Sequence, residues 1–561
     1  LHAESASELR PALLRAARDA DRQVAALAVE ALARLATPLA DVQAALAPLP
    51  AAERWARLLP ALFRFQEDGA VEAARAALAP GALADAGMHA SAAYAVARYP
   101  RPAGASLLRQ LLSDQDPWVA AWSARGLGQV GEGADAVLLR PLLDATASGP
   151  VVQALRAAAR LVAEGKVAAP ASWRARLLDL LDDSRAGVRV TALEVAGSWL
   201  GDETLAGALV ARFHHGPLRE RQLALLALVA GGDRRAPDLL AEAAHGGEVP
   251  LRASAAEGAG KLPLTALLAT LGADPAPSVR VAAVTAQLAL AGEGGEAIAR
   301  SALADADPVV RATALDWAAE HPRLPVAELV AALALAAGDR LDDGQRSAIE
   351  ALAARAKAAP AEREPALAAL RGVVAGEEWL LRRAAAAALA ALGEPLPAIG
   401  EAGRRLPVAA YRDLVLASQQ PHRVRLETER GAVEVELACD QAPLTCANFL
   451  SLAGQGFYDG TLLHRLVADF VVQGGDPRGD GSGGPGWSVR DELNLLRYER
   501  GVVGMALSGP DTGGSQFFVT LSSQPHLDGG YTAFGRVVSG MEVLDTLEQW
   551  DRLVRVRETP P

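Results

Sequence analysis

Two segments near the C-terminus combine a basic side chain with amides and aromatic rings. Residues 464–476 read HRLVADFVVQGGD, and residues 504–537 read GMALSGPDTGGSQFFVTLSSQPHLDGGYTAFGRV. A guanidinium group is a permanently charged hydrogen-bond donor, and phenylalanine rings line apolar pockets. The chemistry indicated is stabilisation of a hydrogen-bond acceptor by a cationic donor beside an apolar pocket.

The order and spacing of these blocks resemble the active site of the cyclophilin family, over roughly residues 422–561. Cyclophilins are peptidyl-prolyl cis/trans isomerases, so the resemblance implies an enzyme that acts on Xaa-Pro bonds of protein clients. This reaction needs no cofactor, metal or nucleophile, because its barrier of about 18–20 kcal/mol arises from amide resonance. A catalyst must hold the proline ring and donate to the proline nitrogen as its lone pair localises.

The resemblance also implies roles for individual residues. Arg465 would be the donor to the proline nitrogen, Gln473 would orient Arg465, and Phe470 and Phe518 would line the proline pocket. The other substrate-binding residues implied by the resemblance are Val471, Ala506, Leu507, Gln516, His526, Leu527 and Tyr531. The alternatives are a surface ion pair for Arg465 and ordinary core packing for the two phenylalanines.

Three positions depart from the family pattern. Val471 is smaller than the Met often found there, and Leu507 replaces a common Asn. His526 stands where cyclosporin-sensitive members carry Trp, so drug sensitivity is in doubt more than activity. We expect a looser grip on proline and one lost polar contact, with Arg465 and the phenylalanines retained.

The cysteines bear on the cellular compartment. Cys439 and Cys446 are the two cysteines of the chain, and the resemblance places them between a strand end and a helix start. They could form a disulfide or remain two buried thiols. Because the sequence begins with Leu1, we expect a processed chain or one taken from a longer precursor. An exported, periplasmic or cell-envelope location is favoured, and a cytoplasmic one is possible.

The N-terminal four hundred residues repeat. A Val or Leu, often followed by Arg, recurs at intervals of 28 to 36 residues before an Ala-rich stretch. Strings such as DQDP at 114–117 and DADP at 305–308 precede these stretches, and Asp followed by Pro is typical of a helix start. The recurring positions are Val119, Val152, Val188, Leu218, Leu251, Val279 and Val310, and Leu381 gives a later copy 71 residues on.

A period of this length with two helices per unit predicts an α-solenoid, and the D-x-D-P-x-V-R turn resembles the HEAT repeat family. The recurring Arg is predicted to bridge adjacent turns rather than to bind phosphate. The solenoid is predicted to dock a client or partner protein. The alternative is a rigid spacer or a surface for self-assembly.

From His422 the pattern changes to alternating apolar and polar residues around Arg430 and Gly431, which predicts a β-hairpin. The predicted fold class is multidomain: an all-α HEAT-like solenoid at 1–396, a connector at 397–421, and a mostly β domain at 422–561. The resemblance implies that this domain is an eight-stranded barrel with capping helices.

Charge and patterning exclude several classes. A net charge of −12 argues against nucleic-acid or anionic-membrane binding. The sequence contains no long apolar run, so no membrane-spanning helix is predicted. GDGSGGPG at 479–486 lacks the strand and helix of a phosphate loop. The neighbouring His214 and His215 lack metal-ligand spacing.

The leading hypothesis is a bacterial-type isomerase tethered to a client-docking solenoid. The alternative is a scaffold or assembly protein whose C-terminal domain only binds proline-containing segments. A chaperone that holds unfolded clients is a third possibility.

Overall fold

The computed structural model describes residues 3–79, 86–168, 171–201, 203–399 and 407–560. The chain forms two compact units, Leu1–Leu205 and Ala206–Pro561. The first unit is helical, and the second contains further helices followed by a β-sheet. Among the described residues, no helix is both long and apolar enough to cross a membrane.

The first unit is a series of helices in which α2, α4, α6, α8, α10 and α12 pack against one another in that order. Short 3-10 turns lie at Pro102–Gly104 and Arg140–Asp144. The helices are α1 (Ala3–Ala16), α2 (Arg22–Arg34), α3 (Leu39–Leu46), α4 (Ala51–Leu62), α5 (Asp68–Ala77), α6 (Ala86–Arg98), α7 (Ala105–Leu111), α8 (Pro117–Val130), α9 (Asp135–Leu139), α10 (Ser148–Ala163), α11 (Ala171–Leu181) and α12 (Ala186–Trp199).

The predicted start signals do cap helices. In the DQDP turn, the Asp116 carboxylate accepts a hydrogen bond from the amide of Trp118 at 2.9 Å, and Pro117 occupies the first turn of α8. Such a cap satisfies an amide that has no partner within the helix. The recurring Val119 that follows this turn is fully buried.

In the second unit, α14, α16, α18, α20, α22 and α24 likewise pack in sequence. Short 3-10 turns lie at Gly292–Gly294, Pro360–Glu362 and Pro525–Leu527. The helices before the sheet are α13 (Glu203–His215), which begins in the first unit, α14 (Leu218–Ala230), α15 (Ala236–Ala244), α16 (Val249–Lys261), α17 (Thr265–Leu271), α18 (Pro277–Ala291), α19 (Glu296–Leu303), α20 (Pro308–Glu320), α21 (Val326–Ala336), α22 (Asp343–Ala358), α23 (Arg363–Val374), α24 (Trp379–Ala391) and α25 (Val408–Ser418).

The recurring arginines link successive turns of these repeats. Arg252 donates to both carboxylate oxygens of Asp274 at 2.7 and 3.0 Å, and also to the carbonyls of Gly246 and Gly247 in its own turn. Arg280 and Arg311 make the same contacts one and two repeats later, with Asp305 and Asp339. The prediction that the recurring Arg bridges adjacent turns is confirmed for Arg252, Arg280 and Arg311.

The β-domain, residues 422–560, is an antiparallel sheet in the order β3-β4-β6-β5-β7-β2-β1-β8. Its first two strands form the predicted hairpin, in which Thr428 pairs with Gly431. The strands are β1 (His422–Thr428), β2 (Gly431–Leu437), β3 (Arg465–Val467), β4 (Val471–Gly474), β5 (Val502–Met505), β6 (Phe517–Thr520), β7 (Ala533–Ser539) and β8 (Leu553–Thr559).

The segment just before β3 joins the two edges of this sheet. Leu462 forms β-bridges with Asp476, beyond β4, and with Arg552, before β8. The Leu463 amide also donates to the Asp551 carbonyl at 2.8 Å. The sheet therefore closes on itself, with α26 (Pro443–Gly454) packed against β8 and α27 (Met541–Thr546) against β2. The predicted fold class, a helical solenoid followed by an eight-stranded barrel with capping helices, is confirmed.

The predicted connector at 397–421 contains α25, which packs against α26 of the β-domain. Residues 400–406 of that connector lie outside the described residues. The predicted limits of 1–396, 397–421 and 422–561 stay a prediction about domain organisation.

Candidate active site

A line of polar side chains runs from β3 across β4 to the residue before β6. Arg465 in β3 pairs with Gln473 in β4, and its guanidinium donates to the Gln473 side-chain oxygen at 3.3 Å. Gln473 in turn donates to the side-chain oxygen of Gln516, which precedes β6, at 3.0 Å. Arg465 is exposed, and the two glutamines are half-buried. The three predicted polar residues are therefore in contact.

An apolar cluster, separate from the barrel interior, lies beside this line. Its fully buried members include Val471, Phe518 and Leu527, and Phe470, Ala506 and Tyr531 pack against them partly exposed. The Arg465 guanidinium lies 5.6 Å from the centre of the Phe470 ring. The structure thus places a cationic donor next to a pocket with a buried floor and an open rim.

Strand pairing fixes the floor of this pocket. Phe518 lies opposite Gln473 on one side and opposite Gly504 on the other. A Cβ atom at Gly504 would lie 2.5 Å from the Phe518 ring and 2.5 Å from the Tyr498 hydroxyl. The two rings are stacked with their centres 5.6 Å apart, so glycine is required for them to approach β5 so closely.

The turn between β3 and β4 sets the position of Phe470. Asp469 adopts a left-handed conformation with φ of 61°, which is uncommon for a residue with a side chain. Its carbonyl accepts hydrogen bonds from Ser522 at 2.6 Å and from Gln524 at 3.1 Å. These buried donors hold the turn, and therefore hold Phe470 at the rim beside Arg465.

Residues 479–486 form a Gly-rich loop that supports the same site. The Asp476 carboxylate is fully buried and accepts hydrogen bonds from the amides of Arg478 at 2.8 Å and Asp480 at 3.0 Å. The Gln516 amide donates to the carbonyls of Gly481 at 2.8 Å and Gly483 at 2.9 Å. The loop supports the rim, and the next regular element after it in the described chain is a strand, β5, rather than the helix of a phosphate loop.

This geometry can be compared with known proteins. The family model for cyclophilin type peptidyl-prolyl cis-trans isomerases matches residues 423–560. Peptidyl-prolyl cis-trans isomerase CYP18-1 of Arabidopsis thaliana is 48% identical over 131 residues, which are 22% of this chain and 82% of that protein. Peptidyl-prolyl cis-trans isomerase-like 3 of Homo sapiens is 47% identical over 131 residues, 22% of this chain and 81% of that protein. The chain belongs to the cyclophilin-type peptidyl-prolyl cis-trans isomerase family.

A solved cyclophilin type isomerase from Cryptosporidium parvum is 37% identical, covers 25% of this chain and 99% of that chain, and has a TM-score of 0.25. Because the family model covers residues 423–560, the β-domain is called the cyclophilin domain below, and it makes the chain an isomerase. The relatives named here are eukaryotic, so the bacterial type stays a prediction.

The remaining predicted substrate-binding residues pack in different places in the cyclophilin domain. Leu507 is partly buried and packs against the barrel interior instead. His526 stacks on Phe470 with their rings 5.9 Å apart, and Tyr531 meets Phe518 edge-on at 5.9 Å. His526 and Tyr531 therefore extend the aromatic rim, whereas Leu507 lies partly buried against the barrel core, and its role in substrate binding stays a prediction.

Sequence reasoning did not single out three buried residues at the site. Asp476 organises the Gly-rich loop, and the acidic end of the QGGD string was the available signal. Burial lowers the pKa of His464, which precedes Arg465, despite the nearby charge of Asp476. Burial likewise raises the pKa of Tyr498, which lies beneath Phe518. Burial thus favours the neutral form of both side chains.

Cys439 and Cys446 are both buried and carry free thiols in this structure. Their side chains are hydrogen-bonded to each other, and this contact together with burial raises the pKa of the Cys446 thiol. The disulfide is not formed here, and bridging of the pair stays a prediction. Among the described residues, no group of three or more His, Cys, Asp or Glu side chains could hold a metal ion.

Proposed function

We propose that this chain isomerises Xaa-Pro bonds of protein clients at the pocket beside Arg465, and that its helical repeats dock a client or partner protein. The observation that carries the first part is the contact of an exposed arginine, held by Gln473, with the open edge of a buried apolar cluster. This arrangement matches the two requirements for lowering the barrier.

The proline ring would occupy the pocket over Phe518, between Phe470 and Leu527. Rotation about the Xaa-Pro bond removes amide resonance and leaves a lone pair on the proline nitrogen. Within the described residues the Arg465 side chain makes one hydrogen bond, so other N–H groups of its guanidinium remain for that nitrogen. This bond exists only in the twisted state, so it accelerates the reaction rather than merely tightening binding.

The neighbouring residues would align the peptide. Gln473 holds Arg465 from the adjacent strand and is itself held by Gln516, so the orientation of the donor depends on two neutral amides. Ala506 leaves space beside the pocket for the residue preceding proline. Val471 closes the floor with a smaller side chain than the family often uses, which favours turnover with modest affinity.

Docking on the repeats would act by raising the local concentration of the client. A client held on the packed helices would present its prolines to the cyclophilin domain at high effective concentration, with no change in the chemistry. A client-holding chaperone activity of the repeats is a variant of this role. It predicts that the full chain suppresses client aggregation even when the isomerase pocket is blocked.

The test measures two quantities on the full chain and on Arg465→Ala. One is the rate of cis/trans isomerisation of a short Xaa-Pro peptide, and the other is the affinity for the same peptide. Loss of turnover with retained binding supports catalysis by Arg465. Binding without turnover in both proteins would instead identify a scaffold that only binds proline-containing segments.

The docking role has its own measurement. The kcat/KM for a proline-limited step in an unfolded protein client should exceed that for the short peptide, and a non-substrate unfolded protein should compete only with the former. Equal values for both substrates, without selective competition, would contradict docking by the repeats.

A further inference from the structure

The strongest unassigned feature is a set of polar contacts between the repeats of the second unit and the rim of the isomerase pocket. We propose that Asp307 of the repeats and Arg478 of the cyclophilin domain are positioning residues for Arg465. The inference rests on the proposed role of Arg465 and extends the active-site support into the helical repeats.

The pair itself is well defined. The Arg478 guanidinium donates to both carboxylate oxygens of Asp307, at 3.0 and 3.2 Å. The side chains are 25% and 10% exposed, so solvent screens their attraction only in part. Asp307 also caps α20 by accepting from the Val309 amide at 3.0 Å, which fixes the carboxylate on a rigid helix end.

The electrostatics favour an ionised pair. Burial by itself would lower the pKa of Arg478, but its hydrogen bond to Asp307 and the charges of Asp480 and Asp307 outweigh burial, and the pKa is raised. A charged, two-point contact between a guanidinium and a carboxylate restrains orientation as well as distance.

A continuous series of hydrogen bonds leads from this pair to the proposed donor. Arg478 begins the turn that Asp476 organises, and the loop that follows offers the Gly481 and Gly483 carbonyls to the Gln516 amide. Gln516 accepts from Gln473, and Gln473 accepts from Arg465. The position of the Gly-rich loop therefore sets where Gln473 can hold the guanidinium.

Further contacts keep the repeats against the rim. Arg383 in α24 donates to the Asp511 carboxylate at 2.8 Å and to the Pro510 carbonyl at 2.6 Å. Arg346 in α22 donates to the Ser508 carbonyl at 2.9 Å. These contacts restrain residues 508–511, which lead from Ala506 towards Gln516.

A fourth contact lies elsewhere on the cyclophilin domain. Trp550, with φ of 84°, donates to the side-chain oxygen of Gln222 in α14 at 2.7 Å. The helices that carry these residues belong to the packed series α14 to α24, so the support is rigid. Because a proline-nitrogen contact tolerates displacements of only about 0.5 Å, such support affects turnover directly.

The test uses Asp307→Asn in the full chain, because asparagine caps helices about as well as aspartate and removes only the charge. Asp116→Asn is the matched control, since Asp116 caps α8 in the same way from the equivalent DQDP turn. We expect Asp307→Asn to lower kcat for an Xaa-Pro peptide about threefold to tenfold, with little change in KM and the same thermal midpoint as the control.

Arg478→Gln should lower kcat by the same factor, Arg478→Lys should restore part of it, and the double variant should be no worse than either single one. In a Gln473→Ala background the Asp307→Asn change should have no further effect. Equal kcat values for Asp307→Asn and Asp116→Asn, or an undiminished effect in the Gln473→Ala background, would overturn the inference.

The outcome is separable from that of the proposed function. If Arg465→Ala keeps full turnover, the proposed catalytic role itself is wrong. If Arg465→Ala loses turnover while Asp307→Asn matches its control, only the positioning role is wrong.

Discussion

The helical repeats and the isomerase pocket of the cyclophilin domain both depend on arginine, but the bridging Arg252 and the pocket Arg465 use their donors differently. In the repeats, the Arg252 guanidinium donates hydrogen bonds to two carboxylate oxygens and two carbonyls, and its side chain is 13% exposed. In the cyclophilin domain, Arg465 is exposed and makes one side-chain hydrogen bond of 3.3 Å to a neutral amide within the described residues.

The difference separates a structural arginine from a catalytic one. A saturated guanidinium, whose N–H donors are already hydrogen-bonded within the protein, stabilises the folded chain and has few donors left for a ligand. A guanidinium oriented by a single amide contributes little to folding and keeps donors for a substrate that arrives later. The two regions should therefore respond in opposite ways to the same substitution.

The largest expected effect is on activity. Arg465→Ala should reduce kcat/KM for an Xaa-Pro peptide about a hundredfold, because it removes a donor that acts in the transition state. Its thermal midpoint should match that of the wild type, since the residue is exposed and weakly bonded. Stopped-flow isomerisation and calorimetry on one preparation measure both, and a large drop in midpoint would make Arg465 structural.

In the repeats, by contrast, replacing an arginine should reduce stability. Arg252→Ala should destabilise the second unit by about 2 kcal/mol, because Asp274 stays buried without its charged partner. Arg300→Ala is the matched control, because its pair with Glu328 is 49% and 36% exposed and should contribute under about 1 kcal/mol. Urea midpoints from far-UV circular dichroism test the difference, and equal midpoints would contradict it.

A smaller effect should follow from disturbing the orientation of Arg465. Gln473→Ala should lower kcat about tenfold, because the guanidinium loses its hydrogen bond to the Gln473 side chain but keeps its charge. Peptide affinity should change less than kcat. A rise in KM alone would show that Gln473 binds the substrate backbone without positioning the donor.

The smallest effect is a pH dependence of the repeats. Burial by itself raises the pKa of Asp274, but the hydrogen bond and charge of Arg252 outweigh it, and the pKa lies below its usual value. The pair therefore stabilises the fold fully above the unfolded pKa of about 3.9, and this stabilisation is lost as the pH falls through the folded pKa. The stability gap between wild type and Arg252→Ala should narrow over that acidic range in urea titrations. A gap independent of pH would contradict the assignment.

Much of this organisation could be predicted from local patterns. The DQDP and DADP strings predicted helix starts because an Asp cap and a following Pro act within one turn, and both turns behave so. The hairpin around Arg430 and Gly431 followed from alternation over a few residues. Such features depend on residues that are neighbours in the sequence, so they can be predicted from one amino-acid sequence.

Other features could not be found in that way. The motif that contains Leu507 does not show that this partly buried side chain packs against the barrel interior. The Asp307–Arg478 pair joins residues 171 positions apart, and no sequence pattern marks either as the partner of the other. Long-range pairing depends on how the repeats and the barrel pack.

By itself, therefore, the sequence determined the repeat of paired helices, the change to strands at His422, and the residue types of the isomerase pocket. It did so because capping, alternation and motif order are local properties of a chain. Tertiary structure alone decided which arginines are saturated and which keep donors for a substrate, because that depends on the carboxylates and carbonyls that folding brings within about 3 Å.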